Sequence, residues 1–183
     1  MIAAKRAVAA LSLGLSLLAA CRSEPDPAAR PSPSLASADP RDAFVPLDGF
    51  RYRKVPERLR QQMEDQLTAD PQAQQVLERF EARFAVARRT RAVLVFAMAV
   101  DPEAAANPFF AEGLFVGFEQ GLGGGSLSKE EISGQQVRVG SAPQLGAAIL
   151  WQQGALVIGV MGQDEAATRV VATQLVEGIG ASS

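Results

Sequence analysis

The sequence predicts an α+β fold: a single layer sandwich of about four mostly antiparallel strands with helices packed on one face, preceded by two amphipathic helices. Three observations carry this reading. Ala92 to Val100 (AVLVFAMAV) is an unbroken apolar run of strand length, the pattern of a central strand covered on both faces, or covered on one by helices with little polar rim on the other. Gly146 to Gln152 and Ala155 to Met161 are two further apolar runs, and the intervening Gln153-Gly154 reads as a tight hairpin. Around these strands, apolar residues recur with the helical period instead.

Taken in order, the elements begin at about residue 47. Pro56 occupies a plausible first helical position, and Val55, Leu59, Met63 and Leu67 recur every four residues to form one stripe. Asp70-Pro71 then breaks and restarts the pattern, Asp as cap and Pro in the first turn, so Val76, Leu77, Phe80 and Phe84 are expected on a second helix. After the Ala92 to Val100 strand, Asn107-Pro108 supplies a cap and first turn for a helix carrying Phe109, Phe110, Leu114, Phe115 and Phe118. Gln136 to Gly140 alternates around Val137 and Val139 and, with the two later apolar runs, makes a three-strand meander. Asp164 to Gly178 closes the chain as a helix with Ala167, Val170, Val171 and Leu175 inward, and Gly178 or Gly180 as its stop. A strand, a crossover helix, a meander and a packing helix belong to the α+β class.

The first 20 residues have a different character. Lys5 and Arg6 precede an apolar run from Ala7 to Leu18, and Ala19-Ala20 form a small-residue exit, the layout of a cleaved secretory signal. Even counted on to Ala20 the run holds 14 residues, short of the roughly 20 that a permanent helical span requires. The tetrad Leu18-Ala19-Ala20-Cys21 resembles the lipobox of bacterial lipoproteins, and the chain's only cysteine occupies the position that motif needs. The resemblance covers the first 21 residues and implies lipidation at Cys21, cleavage before it, and acylation of the new amino terminus. Two or more acyl chains make a stable anchor where one gives marginal, reversible binding. Arg22 rather than Asp after the cysteine implies, by the enterobacterial sorting rule, the outer membrane in an organism that has one, and otherwise the plasma membrane.

From residue 21 to 46, Pro25, Pro27, Pro31, Pro33, Pro40 and Pro46 are interleaved with Ala, Ser, Asp and Arg, and large apolar residues are scarce. Such a segment cannot bury enough surface to order itself. It reads as a tether of about 25 residues, reaching roughly 25 to 30 Å as a flexible coil or about 75 Å in polyproline II. The remainder, 47–183, is long enough for one domain with its own core.

Composition narrows the chemistry. The chain has no histidine, which removes the commonest general base, the commonest zinc ligand and the usual pH switch together. No catalytic residue, metal site or cofactor is expected. With Cys21 lipidated there is no thiol for a disulfide, so stability rests on packing. Gly121-Leu122-Gly123-Gly124-Gly125-Ser126 follows a predicted helix, whereas phosphate-cradling loops follow a strand, and no Gly-Lys-Ser/Thr comes after it. Ser128 and Glu131 instead have capping-box spacing, which predicts a small capped turn. Gly113, Gly117 and Gly121 leave a bare strip on the third helix, read as a site of close packing. Trp151, beside the hairpin, is expected at the rim of the core with its indole N–H reaching water or a carbonyl. Adjacent Ser128 and Lys129 do not by themselves build a Ser-Lys dyad.

Charge is unevenly spread. Arg51 to Arg91 contains ten basic and six acidic residues, Ala92 to Ser183 three basic and nine acidic. The basic half culminates in Arg79, Arg83, Arg88, Arg89 and Arg91. The structural expectation is that these complement helix ends and pair with the acidic half. The functional one is a surface contact with anionic headgroups or an acidic envelope polymer. The expected function is therefore that of a membrane-anchored envelope lipoprotein acting as a non-catalytic binding or assembly module. Its partners would be the membrane, through the N-terminal lipid, and a protein, lipid or glycan of the envelope or periplasm. An exported, net acidic chain is not expected to bind nucleic acid. The alternative is a small hydrolase-like envelope enzyme with a cryptic site near the Gly-rich loop, 121–134.

Overall fold

The computed structural model describes residues 38–67, 71–88, 92–121, 126–142 and 146–181. Cys21, with the signal and most of the tether, lies outside them. The described residues form an α+β fold around a seven-stranded sheet: β1 (Arg51–Lys54), β2 (Leu77–Val86), β3 (Val93–Val100), β4 (Leu127–Ile132), β5 (Gln135–Ala142), β6 (Gly146–Gln153) and β7 (Leu156–Gly162). The strand order is β1-β2-β3-β7-β6-β5-β4, with each neighbouring pair antiparallel. The helices are α1 (Glu57–Leu67), α2 (Pro71–Val76), α3 (Pro102–Ala106), α4 (Pro108–Gly121) and α5 (Glu165–Gly180). From β3, third in the order, α3 and α4 carry the chain to the far edge. The meander β4-β5-β6-β7 then brings it back to β3.

The sheet has more strands than the expected four, and helices on both faces rather than one. Leu94, Phe96, Met98 and Val100 of β3 pack with Val55 and Met63 at α1 and with Phe110, Leu114 and Phe118 of α4. Val93, Val95, Ala97 and Ala99 pack on the opposite face with Val171, Leu175 and Ile179 of α5. Apolar residues on both sides of β3 and β7 leave neither face able to meet water, so each requires its own helical layer. All eight residues of β3 are buried.

Residues 77–86 are a strand, not the second half of a helix. The spacing of Phe80 and Phe84 satisfies a helical stripe, but Phe80, Ala82 and Phe84 also alternate with Arg79, Glu81 and Arg83, and that period of two is the one β3 selects by pairing. The helix begun at Pro71 ends at Val76. A register shift between Leu77 and Arg79 marks an irregularity in the ladder. Ser128 to Glu131 likewise belong to β4 and not to a capped turn. β4 is joined to β5 through Ser133 and Gly134, whose φ values of 49° and 83° are those of a two-residue type I′ hairpin.

Packing also starts earlier than residue 47. A 3-10 turn at Pro40–Ala43 is capped by Asp39, which accepts a hydrogen bond from the Arg41 amide, and Ala43 is fully buried. The hairpin at Gly154 and the closing helix match their sequence signals. Asp164 caps α5 by accepting from the Ala167 amide at 3.0 Å. Val170 departs from the expected inward set and is exposed, because the buried stripe runs through Ala167, Thr168, Val171, Ala172 and Leu175.

Candidate functional site

Of the five arginines singled out, Arg89 and Arg91 lie outside the described residues. Arg79 and Arg83 sit four residues apart on β2, projecting on the α5 side of the sheet, and Arg88 is exposed just beyond the strand. Arg79 reaches Asp39 at 3.9 Å, and Arg83 Nε donates to Glu81 at 3.4 Å. The Arg83 guanidinium also covers the rings of Phe44 and Tyr52, with its carbon 4.5 and 5.9 Å from their centroids. These contacts turn Arg83 into a part of the packing.

Arg79 and Arg83 thus find their carboxylates at Asp39 and Glu81, not in the acidic half. Its three cations have carboxylate partners of their own: Lys129 and Arg138 both reach Glu112, and Arg169 donates to Glu130 at 2.8 Å. The described pairs thus join residues that lie on the same side of the chain's charge division, contrary to the expected attraction between the halves. The reason is geometric. β2 and the far strands β4 and β5 are separated by β3, β7 and β6, beyond the reach of a side chain.

The cations without a carboxylate at ion-pair distance, among the described residues, include Arg51, Arg53 and Lys54 on β1, all exposed. Glu57, which follows them in the chain, is held by Arg60, whose hydrogen bond and charge keep that carboxyl below its usual range, with Lys54 contributing least. These three were not singled out from the sequence, because nothing local marks β1 as an edge. The polar run Arg51-Tyr52-Arg53-Lys54 was the available signal.

A second feature is an open concavity of about 440 Å³ between the α3–α4 layer and the β4–β5 end. Ala105, Ala111 and Phe115 form its apolar wall, and Glu112, Lys129 and Arg138 its charged rim. The Lys129 Nζ stands 3.3 Å from Glu112. Arg138, whose side chain is only 14% exposed, pairs with the same carboxylate and lies 5.5 Å from the centroid of the Phe115 ring. Gln152 donates to the Ala105 carbonyl at 2.9 Å and so fastens α3 to the β6–β7 hairpin. Ser128 does not join this rim: its hydroxyl donates to the Val139 carbonyl at 3.1 Å, and neighbours along a strand face opposite ways. Residues 122–125 lie outside the described residues. Among the described residues no group of His, Cys, Asp and Glu side chains is arranged to hold a metal ion, and no helix is long and apolar enough to cross a membrane.

Trp151 is fully buried under α5, not at the rim, and its indole N–H meets no acceptor among the described residues. It pairs across to Ile158, two pairs inside the hairpin end at Gln153 and Leu156. No protein-family model matches the chain, and no curated protein or solved structure matches it.

Proposed function

We propose that this chain is an exported bacterial envelope lipoprotein, anchored through a lipid on Cys21, whose folded part is a non-catalytic binding or assembly module. The observation that carries the reading is the placement of the only cysteine directly after Leu18-Ala19-Ala20, behind a basic start and a short apolar run. The described fold is compatible with it. Asp39 and Ala43 attach the start of the folded region to the sheet, leaving the residues before them to act as the tether. The exposed cations on β1 supply a surface on which an envelope partner of opposite charge would be held.

The test compares wild type with Cys21→Ser in a bacterial host, by incorporation of an alkyne-labelled fatty acid and by detergent-phase partitioning. Wild type is expected to take up label and enter the detergent phase. Cys21→Ser should do neither, because a short cleavable signal is not a span. An unlabelled wild type, or equal membrane retention of both proteins, overturns the anchor.

A further inference from the structure

The two edges of the sheet carry opposite charge. β1 presents Arg51 and Arg53 to one side of the edge and Lys54, opposite Arg83, to the other, all exposed and without a carboxylate at ion-pair distance among the described residues. β4, at the other edge, carries Glu130 and Glu131 with a single Lys129; Glu130 is paired with Arg169 and Lys129 with Glu112. Charged edge strands protect a sheet from adding a further strand, and either sign would serve that purpose. The two edge strands therefore differ in the sign of their own side-chain charge.

The N-terminal segment reaches the fold over β2 and β3, on the basic side of the sheet. Asp39 pairs with Arg79 of β2, the Phe44 ring stands edge-on to Tyr52 of β1 with centroids 5.5 Å apart, and Arg83 lies over both rings. Cys21 is 17 residues before Ala38, a distance of about 20 to 25 Å for a flexible coil. A lipid on Cys21 would therefore hold the β1 side of the domain, rather than the β4 side, close to the bilayer.

We propose that the β1 edge is a membrane-contact surface, on which Arg51, Arg53 and Lys54 bind the phosphates of anionic lipid headgroups and orient the domain with β4 away from the bilayer. Guanidinium groups are suited to phosphate, which they bind in a two-pronged way. The orientation rests on reading Cys21 as the anchor. The affinity of the edge for anionic lipid does not, so an unlipidated protein tests it separately.

The experiment uses the chain from residue 21 onward carrying Cys21→Ser, sedimented with vesicles of phosphatidylcholine containing phosphatidylglycerol, and with phosphatidylcholine alone. Binding is expected to the first only, and to fall as salt is raised. Arg51→Gln/Arg53→Gln/Lys54→Gln should lower partitioning about a hundredfold, and Lys54→Gln alone about fivefold. Lys129→Gln, at the opposite edge, should leave it unchanged. Circular dichroism melts identify any variant that fails to fold, in which case the single substitution decides. Failure of the wild-type domain to bind anionic vesicles, equal binding to phosphatidylcholine, or full retention by the β1 variants overturns the proposal. Binding to soluble dextran sulfate without binding to vesicles overturns it in favour of an anionic polymer. If Cys21 were shown not to be lipidated, these vesicle results would stand unaltered and only the orientation would fall.

Discussion

The guanidinium carbon of Arg83 lies 4.5 Å from the centre of the Phe44 ring, joining a strand in the sheet to the segment that leads in from the N-terminus. The same guanidinium is shared with Tyr52 of the edge strand, so one side chain holds three pieces of chain together. A partly buried cation over an aromatic face contributes about 0.5 to 2 kcal/mol, and the alkyl stem adds packing. Arg83→Gln is therefore expected to lower unfolding stability by about 1 to 2 kcal/mol. Glu81→Gln, which removes only the part-exposed ion pair, should cost about 0 to 1 kcal/mol. Urea titrations of both variants check this, and equal effects would mean that the rings contribute nothing.

Tyr52 is the only tyrosine of the chain, and burial pushes its hydroxyl well above the ordinary phenol range, with the nearby Arg83 charge pulling weakly the other way. Below about pH 10 both folded and unfolded chains keep the proton, and the group adds no pH dependence. Above that, the unfolded chain releases the proton while the folded one retains it, so stability falls as pH rises. The tyrosinate absorbance of the native protein should accordingly appear at higher pH than that of the urea-unfolded protein. Coincident titrations would show the hydroxyl to be solvated. Tyr52→Phe should flatten the alkaline decline in stability.

Trp151 is likewise unique and fully buried, so its emission reports on one place in the core. The native spectrum should be strongly blue-shifted and resistant to iodide quenching, and both properties should be lost on unfolding. Because the indole N–H has no acceptor among the described residues, Trp151→Phe removes an unsatisfied donor while leaving a small void. These opposing effects should keep the change within about 1 kcal/mol. Trp151→Ala should cost about 3 to 5 kcal/mol. A red-shifted, readily quenched native spectrum would place the side chain at the rim after all.

Gly159 of β7 lies under Phe96. A Cβ there would come within 2.1 Å of Phe96 Cζ and 2.8 Å of Leu150 Cδ2. Phe96 has little room to yield, being fully buried with Phe80 at 6.5 Å and Phe118 at 6.0 Å between ring centroids. Gly159→Ala is expected to destabilise by about 3 kcal/mol, near the upper end for overpacking. Adding Phe96→Leu should recover part of the loss, which a double-mutant cycle of thermal melts will measure. Additive effects would rule out the contact.

Several elements were legible in the sequence because their signals are local. Asp164 caps the helix that follows it, Asn107-Pro108 starts another, Gly154 turns the β6–β7 hairpin, and the unbroken apolar run of β3 requires cover on its faces. The chemistry that the absent histidine removes, and the resemblance centred on Cys21, were also properties of the sequence alone. Other features depended on which segments meet. Phe80 and Phe84, four residues apart, suit a helix or a strand equally, and only pairing with β3 selected the strand. The sequence Leu-Ser-Lys-Glu-Glu-Ile of β4 has few apolar residues to mark it and became a strand through its ladder with β5. The candidate surface was decided in the same way. Arg79 and Arg83 stood out as a basic run, but Asp39, Glu81 and two aromatic rings engage them, while the cations left facing solvent on β1 became an edge only through the order of the sheet. Local signals act over a few residues through backbone geometry and capping. Strand order, burial depth and charge pairing are set by contacts between residues distant in sequence, and the tertiary structure alone brings those together.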